Sequence, residues 1–212
     1  MGRISKGILG GFSGTVGTVV GGNWKGIDYM RSKAVTRRSG NSTAQDVHRA
    51  KFALATKFNR SMKDLLSISF RDFANKMTGM NSALSYTMKN AVVGIYPDLK
   101  IDYSQVLVAR GNMPNALTPS AASTAAGVVS FSWIDNSGVG KAHPSDNTIL
   151  VAYCESLNQV QYTMGGGTRS SGSGTLNVPS FSGKEVQTWL AFMGHTGKEI
   201  ATSAYTGAVT VV

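Results

Sequence analysis

Acid–base or nucleophilic chemistry in this 212-residue chain would have to come from His48, His143, His195, Cys154 and eleven carboxylates, and their spacing assembles no known machinery. The three histidines lie in separate zones, none with a second His, Cys or carboxylate at ligand spacing, and they read as solvated surface residues. Cys154 sits in an apolar stretch, where burial raises a thiol's pKa and leaves it inert. As a lone cysteine it cannot close an intramolecular disulfide. Gly11-Phe12-Ser13-Gly14-Thr15 departs from the nucleophile elbow at its last position, and no glycine-rich stretch ends in the Gly-Lys-Ser/Thr that cradles a phosphate. Asp135, Asp146 and Glu155 read as ordinary loop and edge carboxylates. The expectation is a non-enzymatic protein with no catalytic residues, metal, cofactor or small-molecule substrate.

Charge carries the stronger signal. Residues 1–63 hold twelve Lys and Arg against Asp28 and Asp46, which is the whole formal net charge of +10, while residues 64–212 hold nine bases and nine acids. Such segregation makes the N-terminal third a docking element for an anionic partner, whether a phosphate backbone, an acidic protein surface or a lipid surface. Lys25, Arg31, Lys33, Arg37, Arg38, Arg49, Lys57 and Arg60 are the candidate contacts, and Trp24 and Tyr29 the candidates for stacking on bases. An equally weighted reading is a solvated surface whose aromatics pack under the helix that follows.

The element carrying the first of these residues is glycine-rich. A β-branched stretch, Thr15–Val20, meets Gly21-Gly22-Asn23 and then Trp24–Arg31, which is the pattern of a hairpin turning at the glycines. An arm so poor in side chains suits strand addition to a neighbouring subunit, with Gly10, Gly11, Gly14, Val16, Gly17, Val19, Gly21 and Gly22 as the assembly residues. The alternative is an internal hairpin completing the protein's own sheet. Glycines also break the early apolar run, so it reads as a retained arm and not a signal peptide, and no stretch approaches the roughly 18 apolar residues of a membrane span. A soluble protein of the cytoplasm, or of a particle assembled there, is expected.

Residues 43–66 carry Val47, Ala50, Leu54, Phe58, Met62 and Leu65 at helical spacing, with a second helical stretch at about 70–77 and a third opening at Asn81 and stopping before Gly94 and Pro97. Beyond residue 100 the period becomes two, with strands at 104–110, 127–134, 148–155, 159–164, 174–178, 185–193 and 201–212. Seven short strands between Gly, Ser, Asn and Pro clusters indicate an antiparallel β-sandwich. The fold class is therefore α+β: an arm and helical unit over residues 1–100, then an immunoglobulin-like sandwich over 101–212. The low-complexity loop Gly165–Gly174 is expected to be mobile.

Trp133, closing Ser130-Phe131-Ser132-Trp133, and Trp189-Leu190-Ala191-Phe192 resemble the second and sixth strands of a fibronectin type III or immunoglobulin-like module, though without the corner tyrosine or a cysteine pair. The opening Gly2–Gly17, with Val19–Gly26, Ala83–Tyr86, Ile101–Ser104 and Tyr205–Val209, resembles an uncharacterised family of small Bacteroidota proteins catalogued as a domain of unknown function. Where that family has a proline before the basic helix, this chain has Gly40-Asn41-Ser42-Thr43-Ala44-Gln45. The resemblance brings no activity and no catalytic residues, and similar openings occur in proteins encoded near phage-like structural genes. It favours a self-assembling homo-oligomeric component of a particle, filament or phage-like virion, with nucleic-acid binding through the basic third as the alternative.

Overall fold

Two runs in the second half of the chain, Asn147–Cys154 and Glu185–Met193, are buried at nearly every residue instead of every second one, which requires a sheet covered on both faces. The computed structural model, which describes residues 3–4, 7, 10–35 and 42–212, supplies both covers. The chain divides into two compact units, residues 1–42 and 43–212.

The first unit is a four-stranded antiparallel sheet in sequence order, β1 (Arg3–Ile4), β2 (Phe12–Val16), β3 (Val19–Trp24) and β4 (Ile27–Ser32). The hairpin expected to turn at Gly21–Asn23 turns elsewhere. Tight two-residue turns need a positive φ, and the chain finds it at Gly17 (57°) between β2 and β3, and at Lys25 (50°) and Gly26 (84°) between β3 and β4. Gly21 and Gly22 lie inside β3, paired with Met30 and Tyr29.

The second unit opens with α1 (Thr43–Ser61), α2 (Lys63–Ser69) and α3 (Gly79–Asn90), then a short hairpin of β5 (Val92–Ile95) and β6 (Asp98–Ile101). The sandwich follows as β7 (Leu117–Ala125), β8 (Val128–Ile134), β9 (Asn147–Cys154), β10 (Gln159–Thr163), β11 (Ser173–Asn177), β12 (Glu185–Met193) and β13 (Ala204–Thr210). Its sheets run β10-β9-β12-β13 and β11-β8-β7, with every pairing between named strands antiparallel, as in an immunoglobulin-like sandwich. Leu150, Ala152, Leu190 and Phe192 face Val129, Phe131 and Trp133 across the inner core. Ile149, Val151, Tyr153, Trp189 and Ala191 project the other way, into a second core with Phe58, Met62, Leu65, Leu66 and Phe70. The result is three layers, helices on sheet on sheet. Within residues 43–212 the helices share a core with the sandwich.

Several elements depart from expectation for local reasons. The best helix breaks at Met62 (φ −119°, ψ 29°), so its end becomes the separate α2, and of the second helical stretch expected at about 70–77 only a 3-10 turn at Arg71–Phe73 forms. Thr78, not Asn81, caps α3, its Oγ1 accepting the Asn81 N–H at 3.2 Å. Residues 104–110 are not a strand: Val108 N–H donates to Ser203 Oγ (3.0 Å) and Arg110 N–H to the Ser69 carbonyl (3.1 Å), so a side chain and a helix end replace a partner strand. The first sandwich strand is instead β7, an edge strand of small and polar residues interrupted by Pro119.

The Gly165–Gly174 loop, expected to be mobile, is anchored by a fully buried Arg169. Its Nε donates to Asp146 Oδ2 (3.0 Å), its Nη1 to Asn136 Oδ1 (2.6 Å) and its Nη2 to the Pro114 carbonyl (3.2 Å), while the guanidinium lies 3.8 Å over the Phe192 ring. Trp133 Nε1 donates to the Arg169 carbonyl at 2.8 Å. One side chain thus ties three loops to the inner core.

Behind the sheet, Phe58 meets Tyr103, Tyr153 and Trp189 at centroid distances of 5.9, 4.9 and 6.4 Å, and Tyr205 lies tilted 5.6 Å from Trp189. Burial, then the nearby Glu155 carboxylate, pushes the Tyr153 phenol up to about 12 and the Tyr103 phenol beyond the usual tyrosine range.

Two outcomes follow. A folded-state pKa above the unfolded one stabilises the fold fully below about pH 10, the ordinary tyrosine value, and that contribution is lost as pH climbs toward 12. The urea midpoint is expected to fall between pH 10 and 11.5, less steeply in Tyr153→Phe; identical slopes in the two proteins would discount the phenols. Arg169→Met leaves Asp146 buried and unpaired, at an expected cost of about 3–5 kcal/mol in urea unfolding, part of which Asp146→Asn in the same chain restores. A cost of under about 1 kcal/mol would mean the pair anchors nothing.

Candidate functional site

The first unit has hydrogen-bonded strands and almost no interior. On one face the register places Trp24 beside Ile27, Gly22 beside Tyr29 and Val20 beside Arg31; on the other, Gly21 beside Met30 and Val19 beside Ser32. The first face exposes Trp24 (59%), Ile27 (61%) and Tyr29, and the second exposes Met30 (72%), Val16 and Val19. The described sheet thus leaves large apolar side chains uncovered on both of its faces.

The glycines are occupied by the arm's own side chains. A Cβ at Gly21 would stand 2.7 Å from ring carbons of Phe12, one at Gly22 2.8 Å from the Tyr29 hydroxyl, and one at Gly11 would overlap the Asp28 carboxylate. Asp28 is held there by Asn23, whose Nδ2 donates to Oδ1 at 2.7 Å, while Asn23 Oδ1 accepts the Gly26 N–H at 3.1 Å. Gly14 lies in β2 opposite Gly21, Gly17 in the turn, and the Gly10 N–H donates to the Gly7 carbonyl at 3.0 Å.

The sequence-predicted cations fall into two groups. Lys25 occupies the β3–β4 turn, and Arg31 and Lys33 are exposed at the end of β4; Arg37 and Arg38 lie outside the described residues. On α1 the exposed Arg49, Lys57 and Arg60 lie away from the buried stripe of Ala55, Phe58 and Asn59. Arg49 is 3.6 Å from Asp46 in an exposed pair of little energetic weight.

Topology also assembles something that spacing hides. His143, before β9, and His195, after β12, come to the same end of the sandwich with ring centroids 4.7 Å apart. They flank the buried Asp146, which accepts the His143 N–H (2.8 Å) and lies 3.9 Å from His195 Nδ1. The reading of unrelated surface histidines is corrected here for this pair, since adjacent antiparallel strands join distant loops. The geometry is nonetheless not that of a triad: Ser145 Oγ meets His143 Nδ1 at 2.7 Å within its own turn, and the carboxylate is engaged by backbone N–H groups and Arg169. Among the described residues no three His, Cys, Asp or Glu side chains converge as metal ligands. Cys154 is fully buried in β9, its Sγ 3.2 Å from Ser156 Oγ. Asp135 accepts the Ser137 hydroxyl and N–H, which hold its carboxyl below the usual range.

Among the described residues no helix is long and apolar enough to cross a membrane. No curated protein matches the sequence. The match of residues 11–207, running through both units from the edge of β2 into β13, to the model described as Family of unknown function (DUF6266) establishes that the chain belongs to that family.

Proposed function

We propose that the protein is a non-enzymatic structural component that self-assembles through its N-terminal sheet, as a subunit of a particle, filament or phage-like virion. The observation that carries this reading is β4, the outer strand of that sheet, in which all six residues are exposed. Lys33 N–H donates to the Thr18 carbonyl at 2.7 Å, and the alternation of an antiparallel ladder counted back from that bond turns the N–H and C=O groups of Asp28, Met30 and Ser32 outward. Such an edge is a template for another strand. A second copy is the occupant because the arm's exposed apolar residues lie on both faces, so a sheet extended by an identical arm continues both apolar bands. Among the described residues, the two buried cores of residues 43–212 contain no residue before Phe58.

A second reading rests on one face of the same sheet, where Trp24, Tyr29 and Arg31 stand together, exposed, with Lys25 and Lys33 at its ends. Exposed aromatics among cations form a stacking platform for single-stranded nucleic acid.

Removing residues 1–42 is expected to leave circular dichroism and urea unfolding of the remainder intact while light scattering falls to the monomer mass. Met30→Pro in the full chain, which deletes one outward N–H, lowers the mass in the same direction. A full chain that is already monomeric at micromolar concentration, or a truncated one that still assembles, would refute the assembly reading. For the second reading, affinity for a single-stranded oligonucleotide should fall with salt at a log–log slope of about −0.7 per phosphate contacted, and Arg37→Ala with Arg38→Ala should flatten it. Trp24→Ala should cost about 1–3 kcal/mol of binding if it stacks on a base. An oligonucleotide affinity indifferent to salt and to these changes removes nucleic acid as the partner.

A further inference from the structure

Helices α1 and α3 leave between them an open groove of about 730 Å3, walled by His48, Lys51 and Phe52 on one side and Leu84, Met88 and Lys89 on the other. We propose that this groove docks an acidic amphipathic helix of a partner protein. The floor is apolar and reachable: Phe52 is 48% exposed, and Leu84 and Met88 are only partly covered. Methionine adapts its shape to whatever packs on it. Along α3 the lining runs from Asn81 to Lys89, about 12 Å at a rise of 1.5 Å per residue, which accommodates two turns of an added helix packed ridge into groove.

Charge selects the sign of the occupant. Lys51 and Lys89 stand on opposite walls with His48 beside the first, and no carboxylate is among the lining residues. The single acid of α1, Asp46, is engaged with Arg49. A docked helix therefore meets apolar surface along its centre and a cation on either flank, the complement of a Leu or Phe stripe bordered by Asp and Glu. A flat bilayer cannot reach into a concave floor between two helices. The spaced cations better suited to a phosphate backbone, Lys57 and Arg60, are not in the groove lining; they border an adjoining depression on the other side of Phe52. This inference is independent of the arm.

The test uses the full chain and a fluorescein-labelled 16-residue helical peptide with Leu at i, i+4 and i+7 and Glu on both flanks, read by fluorescence anisotropy. Saturable binding is expected, weakened about ten-fold or more by Lys51→Glu with Lys89→Glu, in line with opposed charges becoming like charges. A peptide with Lys in place of Glu should prefer the double variant, which also reports that the variant is folded. Replacing the three Leu by Ala should abolish binding, and Lys100→Glu with Lys198→Glu, at exposed cations outside the groove lining, should leave it within about two-fold, because exposed charges outside the contact act weakly. The proposal is overturned by absence of saturable binding, by equal losses in the two double variants, by undiminished binding of the Ala peptide, or by displacement of the peptide by phosphatidylglycerol vesicles or a single-stranded oligonucleotide that itself binds more tightly.

Discussion

Leu150 and Val151 are neighbours in β9, yet one faces the second sheet, the other faces the helices, and neither is exposed. Trp189 and Leu190 repeat the division in β12. A sheet with both faces apolar cannot stand with one of them in water, since each large side chain uncovered forfeits about 1.5–3 kcal/mol. The helical layer is therefore a condition of the sandwich and not an appendage to it. It also explains why Phe58, Met62, Leu65 and Phe70 are fully enclosed on helices whose other faces carry cations. Detaching α1 would expose Trp189 and Tyr153 together with Phe58, which couples the helical layer to the sheet.

Function, in the proposed scheme, lies where burial stops. The balanced charge of residues 64–212 is consistent with a scaffold whose one deeply buried ion pair, Arg169 with Asp146, is used to fasten loops. The exposed arm edge and the α1–α3 groove are separate surfaces with different chemistry. The first offers unpaired backbone and bare apolar side chains, and the second an apolar floor framed by ammonium groups. A component that must join copies of itself and also recruit a different protein needs two such non-interchangeable surfaces.

Much of this was legible in the residues. The sandwich, five of its strands within two residues and the core stripe of α1 follow from apolar period and turn composition. What stayed hidden had physical reasons. β9 and β12 are apolar at every position, so they read as strands, but which side of Trp189 meets what depends on a helix more than 100 residues away. Apart from Leu117 and Pro119, β7 is composed of Thr, Ser and Ala and carries no periodic signal, whereas Val106 and Val108 alternate like a strand but Val108 is held by Ser69 and Ser203. Gly21-Gly22 looked like a turn because glycine permits one; there it makes room for Phe12 and Tyr29, and a lysine adopts the left-handed conformation at the true turn. The pairing of His143 with His195 is set by strand order, which local spacing cannot encode.

The filled glycines of the arm bear on kinetics. With Phe12 lying on Gly21, Tyr29 on Gly22 and Asp28 on Gly11 and tied to Asn23, the strand proposed to meet a neighbour is already shaped before any encounter. A disordered tail performing the same task would lose conformational entropy for every residue ordered on contact, roughly 1–2 kcal/mol each for the backbone alone. A preformed edge loses little, so the proposed association would be limited by orientation at encounter and not by folding.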